Sequence, residues 1–240
     1  MKQNYAKIIS GFILAGLLTF SSCQSTHEMA KPDADAVAIL KPYKEKIDNM
    51  MYEVIGSSEQ KMDKGHPESL LSNLVAEVLR QAATKVQDKP ADMGLVNMGG
   101  LRNILPAGDI TVGTVYEILP FENSLCVMKM KGTHLKALLT SIASLKGEGV
   151  SGIRMEITKD GKLLNATVGG QPIDDNKLYT VATIDYLADG NGSMEAFLQA
   201  DDRVCPEGAT LRGLFLDYVR QQTAAGKKIT SALDGRITVK

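Results

Sequence analysis

The chain has 240 residues, 44% of them apolar, with 27 basic against 28 acidic residues and a formal net charge of −1. That balance argues against nucleic-acid polymers as partners, because gripping a phosphate backbone needs a basic surface. The apolar content suffices for one sizeable core, and three cysteines do not make a disulfide framework.

Lys2 and Lys7 precede an apolar run from Ile8 to Phe20 that ends in Phe20-Ser21-Ser22-Cys23. A run of about 13 apolar residues is too short to span a bilayer and fits the core of a signal peptide. The small residue before Cys23 reads as a lipoprotein processing site. The expected organisation is a signal peptide over 1–22, lipidation at Cys23, a tether over 23–35 and one domain over 36–240. An ordinary secretory peptide cut elsewhere is the alternative. Several acyl chains on Cys23 would hold the protein to a membrane, outside the cytoplasm on the periplasmic or outer face of a bacterial envelope. Removal of 1–22 takes Lys2 and Lys7 and no acid, which leaves a net charge of −3.

From Ala36 the pattern is helical, with Val37, Leu40, Tyr43 and Ile47 spaced for one face. Glu68-Ser69 opens a second helix whose Leu70, Leu71, Leu74, Val75, Val78 and Leu79 form a core-facing stripe. Residues 94–96 read as a short buried strand leading into a glycine pair, and 111–119 as a short helix stopped by Pro120. Residues 124–131 alternate as a strand, with Cys126 buried in it, and Gly132-Thr133 turns into a helix through Leu145. Residues 153–157, 163–168 and 178–183 then alternate as an antiparallel meander, with Asp160-Gly161 and Gly169-Gly170 at its turns. Leu211, Leu214, Phe215, Tyr218 and Val219 mark a last amphipathic helix before a closing strand over 236–239. Helices grouped around antiparallel strands predict an α+β fold. Cys205 precedes Pro206 in a turn. An oxidising compartment permits a bridge to Cys126, nothing in the spacing demands one, and two packed free thiols are expected.

The segment 97–123 contains N-x-G-G-L-R, A-G-D-I-T and L-P-F-E-N. Arg102 follows two glycines after a strand, where its guanidinium can fork onto a phosphate or a ribose hydroxyl with backbone N–H groups assisting. From the residues alone, a brace to Asp109 is an equal alternative. Phe121 lies between Pro120 and the polar pair Glu122-Asn123, so its ring belongs to a loop; it can stack a nucleobase for about 1–3 kcal/mol, or pack beneath the loop. Tyr186 supplies a second loop ring in T-I-D-Y-L-A-D-G-N-G. Two such rings suit a sandwich around a flat heterocycle.

Asn97, Gly99, Gly100, Arg102, Ala107-Gly108-Asp109-Ile110, Val115-Tyr116, Pro120-Phe121 and Asn123 resemble the signature of the C-terminal, substrate-binding domain of the 5'-nucleotidases. The likeness continues more weakly to the end of the chain. It implies two packed, mostly antiparallel sheets flanked by helices in an α-β-β-α arrangement. It also implies that Phe121 and Tyr186 are two halves of a clamp on the base, that Asn123 contacts the base or orients the loop, and that Arg102 touches the ligand. The segment around Tyr186 resembles the family's T-N-D-Y-L-A-N-G-G-D-G-Y. Gly192 stands where the family often has an aspartate on the ribose or base, and Asp189 and Asn191 lie close enough in sequence to substitute. Where some relatives carry upstream arginines, this chain offers Lys61, Lys64 and His66, either a weaker phosphate site or a solvated basic turn. Gly147 and Gly149 fall near a loop that borders the family's base pocket.

The candidate binding set is therefore Asn97, Gly99, Gly100, Arg102, Phe121, Asn123, Tyr186, Asp189 and Asn191. His27, His66 and His134 do not stand in D-x-H, G-N-H-E or G-H-x-H patterns, so no metal site and no cofactor are expected, and no Ser or Cys nucleophile stands in a motif. In the family the metals sit in a larger phosphoesterase domain for which the chain is expected to have no room. Two readings result, both with a nucleotide or nucleoside as ligand. The first is the recognition subunit of a split hydrolase in nucleotide catabolism, partnered by a separate metallophosphoesterase chain. The second is a non-catalytic envelope binding lipoprotein; a scaffold that has lost its ligand, motivated by Gly192, is a third.

Overall fold

The computed structural model describes residues 33–240. The expected leader, the Cys23 lipidation site and most of the tether lie outside the described residues. The chain divides into two compact units at Lys44/Glu45. Helix α1 (Ala34–Met51) runs across that boundary and none of its residues is buried. It starts two residues before the apolar pattern does, because Asp33 caps it: Asp33 Oδ1 accepts the N–H groups of Asp35 at 2.8 Å and Ala36 at 3.2 Å.

In the second unit β1 (Val54–Ser58) is followed by α2 (Leu70–Ala82), then β2 (Met93–Val96), β3 (Gly108–Thr111) and α3 (Val112–Ile118). Ser69 caps α2 through its hydroxyl, and of the expected stripe Leu71, Leu74, Val75, Val78 and Leu79 are buried, while Leu70 is only partly so. Each such side chain contributes about 1.5–3 kcal/mol by leaving water. Thr111 and Thr114 form a reciprocal capping box at α3. After these come β4 (Leu125–Lys131), α4 (Gly132–Ser144), β5 (Gly149–Ser151), β6 (Ile153–Ile157), β7 (Leu163–Val168), β8 (Gln171–Pro172) and β9 (Leu178–Ile184). The last elements are α5 (Asp185–Ala188), β10 (Asp202–Val204), α6 (Leu211–Ala224) and β11 (Ile237–Val239).

The strands make three ladders: a five-stranded sheet in the order β10-β4-β9-β2-β5, a four-stranded sheet β11-β6-β7-β8, and the pair β1-β3. All pairings are antiparallel except β2-β9 and β11-β6. Helix α2 packs on β2, β5 and β9, and α4 packs on β4, β9 and β7, so α4 touches both larger sheets. The fold is α+β, several sheets flanked by helices.

Two expectations are corrected. The meander ends at β7: β6 and β7 pair antiparallel, but β9 joins the other sheet, between β4 and β2. Alternation along a strand reports that one face is buried and carries no information about which neighbour it pairs with. The thiols are not free either, since Cys126 and Cys205 form a disulfide. Residues 202–204 are strand β10, whose register places Val204 opposite Val127 and so brings residue 205 alongside residue 126. Closing a loop of 79 residues removes unfolded-chain entropy equivalent to about 4–5 kcal/mol in the loop-closure model.

Candidate functional site

Three adjacent strands of the five-stranded sheet deliver their connecting loops to one end. Parallel strands β2 and β9 both end there, in Asn97 and Tyr186, while β4 begins there after Asn123; Leu125 pairs with Ile184 at the rim. Loops at the carboxyl ends of parallel strands leave a crevice that side chains can line without disturbing the ladder. Here the crevice is a cleft of about 350 Å³ lined by Asn97, Gly99, Gly100, Phe121, Asn123 and Tyr186, at the low end of the range for small-ligand pockets.

The rings of Phe121 and Tyr186 are 49% and 45% exposed. Exposure of two aromatic faces on one cleft costs hydrophobic stabilisation unless a ligand covers them. Phe121 therefore does not pack beneath its loop. Arg102 stands beside it, with Cζ 6.0 Å from the ring centroid and Nη1 donating to Gly99 O at 3.3 Å. No ion pair joins Arg102 to Asp109 among the described residues; its backbone N–H instead donates to Ile118 O, tying the glycine turn to the end of α3.

The 3-10 turn Met98–Gly100 has a dense set of braces. Glu148 accepts the Met98 N–H, and Lys64 Nζ donates to the carbonyls of Met98 and Leu101. His66 Nδ1 lies 2.8 Å from Gly147 O. Lys64 and His66 thus brace loops through their polar ends while staying solvent-exposed, as a solvated basic turn requires. Burial lifts the Glu148 carboxyl above the ordinary carboxylate range, against the lowering influence of the Met98 N–H and of nearby His66. A Cβ at Gly100 would lie 3.0 Å from Asn97 Oδ1, so any larger residue there would press on the Asn97 amide. That oxygen is buried and has no hydrogen-bond partner among the described residues.

On the opposite wall Asp185 joins the two ring-bearing segments. Its Oδ1 accepts Asn123 Nδ2 at 3.0 Å and the Tyr186 N–H at 2.8 Å, and its own N–H donates to Ser124 O. Asn123 is therefore held with its amide nitrogen turned to Asp185. The Phe121 loop has a second organiser in Arg212 of α6. This buried guanidinium donates to Leu119 O at 3.2 Å and Pro120 O at 3.1 Å, pairs with Glu122, and lies 4.1 Å over the Tyr116 ring. Asp185, Glu148 and Arg212 are site-building residues that a sequence reading passes over, and Lys64, which it noticed, acts here through the loop carbonyls. Only Asp185 has a local signal, its place directly before Tyr186.

Of the nine candidates, six line the cleft and Arg102 adjoins it through Phe121. Asp189 and Asn191 are not among its lining residues. The Asp189 carboxylate is instead paired with Arg203 Nη1 at 2.6 Å. An aspartate could not simply be restored at Gly192, whose φ is +66° and whose Cβ would sit 3.2 Å from Leu187 Cδ2. No group of three or more His, Cys, Asp or Glu side chains is arranged to hold a metal ion among the described residues.

A cleft walled by two open aromatic rings, two amides and a glycine turn thus lies at the strand ends of an α+β domain. The chain belongs to the family described as 5'-nucleotidase, C-terminal domain, whose model matches residues 54–199. A cell wall protein of Listeria monocytogenes, Lmo0130, is 28% identical over 236 residues, covering 85% of this chain and 29% of its own length. Endonuclease YhcR of Bacillus subtilis is 32% identical over 171 residues, covering 68% of this chain and 14% of its own. The crystal structure of a 5'-nucleotidase precursor from Thermus thermophilus superposes with a TM-score of 0.72 at 28% identity, covering 85% of this chain and 43% of that one. The chain thus spans less than half the length of each. No helix among the described residues is long and apolar enough to cross a membrane.

Proposed function

We propose that this chain is the nucleotide-recognition subunit of a 5'-nucleotidase-type hydrolase whose metal-bearing half is a separate metallophosphoesterase chain. The observation that carries the reading is the pair of half-exposed rings, Phe121 and Tyr186, brought to one cleft from positions 65 residues apart. A base lying between them at contact distance separates the ring planes by about 7 Å. The Gly99-Gly100 backbone and the Asn97 and Asn123 amides meet its edge, and Arg102 meets a ribose hydroxyl or a phosphate. The Thermus relative is named a 5'-nucleotidase precursor, which supports a nucleotide as the ligand class. The Listeria relative is named a cell wall protein, which supports a place outside the cytoplasm; the lysines and apolar run before Cys23 support that cysteine as the lipid anchor.

The test is to isolate the lipoprotein with its associated chains and to assay AMP hydrolysis by each component and by the mixture. A phosphoesterase that co-purifies and is active only in the mixture supports the split enzyme. Full activity of that phosphoesterase alone refutes it. The second reading, an envelope binding protein without catalysis, rests on the same cleft of rings and amides. It predicts calorimetric binding of AMP, adenosine or UDP-glucose with no associated phosphoesterase.

A further inference from the structure

Tyr186 is carried by α5, a single turn of four residues. A helix this short has almost no stability of its own, and the chain leaving it bends through Gly190, Gly192 and Ser193, all at positive φ. The turn beyond the helix must therefore be fixed by contacts from other segments. Asp189, at the C-terminal end of the helix, donates its N–H to Asp185 O and gives its carboxylate to Arg203. Arg203 in turn belongs to β10, an exposed edge strand of three residues paired with β4. Its guanidinium rests on the disulfide, with Nε 3.2 Å from Cys205 Sγ and Nη2 3.7 Å from Cys126 Sγ, while Nη1 is the atom that holds Asp189. One planar group thus spans from the covalent bridge to the turn that presents the second ring.

We propose that Arg203, seated on the Cys126–Cys205 bridge, is a positioning residue for the ligand cleft: through Asp189 it fixes the turn that presents the Tyr186 ring. The bridge keeps a short edge strand in register, the strand aims the guanidinium, and the guanidinium anchors the turn. The Arg203–Asp189 pair is partly solvent-exposed, so its loss weakens base binding by about two- to five-fold and does not abolish it.

The effect on affinity rests on the nucleotide-binding reading, whereas the effect on the ring does not, so the two are measured separately. The protein is labelled with 3-fluorotyrosine and the Tyr186 fluorine resonance is assigned by its loss in Y186F. R203A and D189A are each expected to shift and broaden that resonance, and the double variant to add nothing further. Reduction of the wild type with dithiothreitol, which gives two electrons and two protons to the S–S bond and leaves as its own cyclic disulfide, is expected to move the resonance the same way. In R203A, reduction is expected to add little. Because loss of the bridge can unfold the domain, R203A, which leaves the bridge intact, carries the decision. A Tyr186 resonance in R203A that superposes on the wild type overturns the proposal, as does a double variant whose shift is the sum of the single ones. Titration with AMP then reads the two- to five-fold loss in R203A. Failure of the wild type to bind AMP or adenosine would refute the proposed ligand and leave the fluorine result standing.

Discussion

Phe121→Ala removes one wall of the cleft, and the structure separates its effect on binding from its effect on folding. The ring is 49% exposed, so about half of the 1.5–3 kcal/mol of a fully buried phenylalanine is at stake for stability, roughly 1 kcal/mol. The Arg102 guanidinium 6.0 Å from the ring adds about 0.5 kcal/mol at an exposed site. The variant should fold. A base stacked on the open face loses about 1–3 kcal/mol, which is about a 5- to 150-fold rise in Kd at 1.4 kcal/mol per decade. Isothermal calorimetry with adenosine and AMP reads this directly, with urea unfolding alongside to confirm that the stability loss is small. Phe121→Trp keeps a stacking face and should bind at least as tightly as the wild type. An F121A protein that is folded and binds both ligands within twofold of the wild type would remove the ring from the site and with it the sandwich.

Three more outcomes are expected from the braces. The folded state holds the Glu148 proton more tightly than the unfolded chain does, so this group's stabilisation is complete below about pH 4.5, the ordinary value, and is lost as pH rises through the elevated folded value. Glu148→Gln keeps an oxygen for the Met98 N–H and cannot ionise, so its stability relative to wild type should rise with pH in urea melts between pH 4 and 7; a constant difference would contradict this. Cys205→Ser opens the 79-residue loop and should cost about 4–5 kcal/mol, a fall in Tm of about 10–18 °C for a domain of this size, read by calorimetry without reductant. Arg212→Ala leaves the carbonyls of Leu119 and Pro120 without their donor and should cost about 1–3 kcal/mol while also weakening AMP binding, because the loop it releases carries Phe121; unaltered affinity would show that the loop holds its shape unaided.

Helix α2 was legible because its evidence is local: a serine cap and apolar residues at three- and four-residue spacing bury together in any helix with a core beside it. The cleft walls from Asn97 to Asn123 were legible for a related reason, since glycines, a proline and a ring crowd into one segment and leave few conformations. Strand β10 was not. Asp-Arg-Val is short, exposed and without alternation, so its pairing with β4, and the bridge that results from it, appear only when the sheet is assembled. The Asp189 partner and the buried Arg212 are of the same kind, contacts between segments far apart in the chain.

The sequence by itself determined which residues are apolar on which period, where the chain must turn, and which rings and amides are free of a core stripe. Those are properties of neighbouring residues, encoded by sterics and solvation within a few positions. The tertiary structure alone decided that β9 leaves the meander to lie between β4 and β2, which sets Phe121 and Tyr186 at the same end of one sheet. It alone turned Asp189 away to Arg203 and set Asp185 between the two walls. Pairing partners across tens of residues are chosen by the joint packing of all the elements, and no single stretch of chain contains that information.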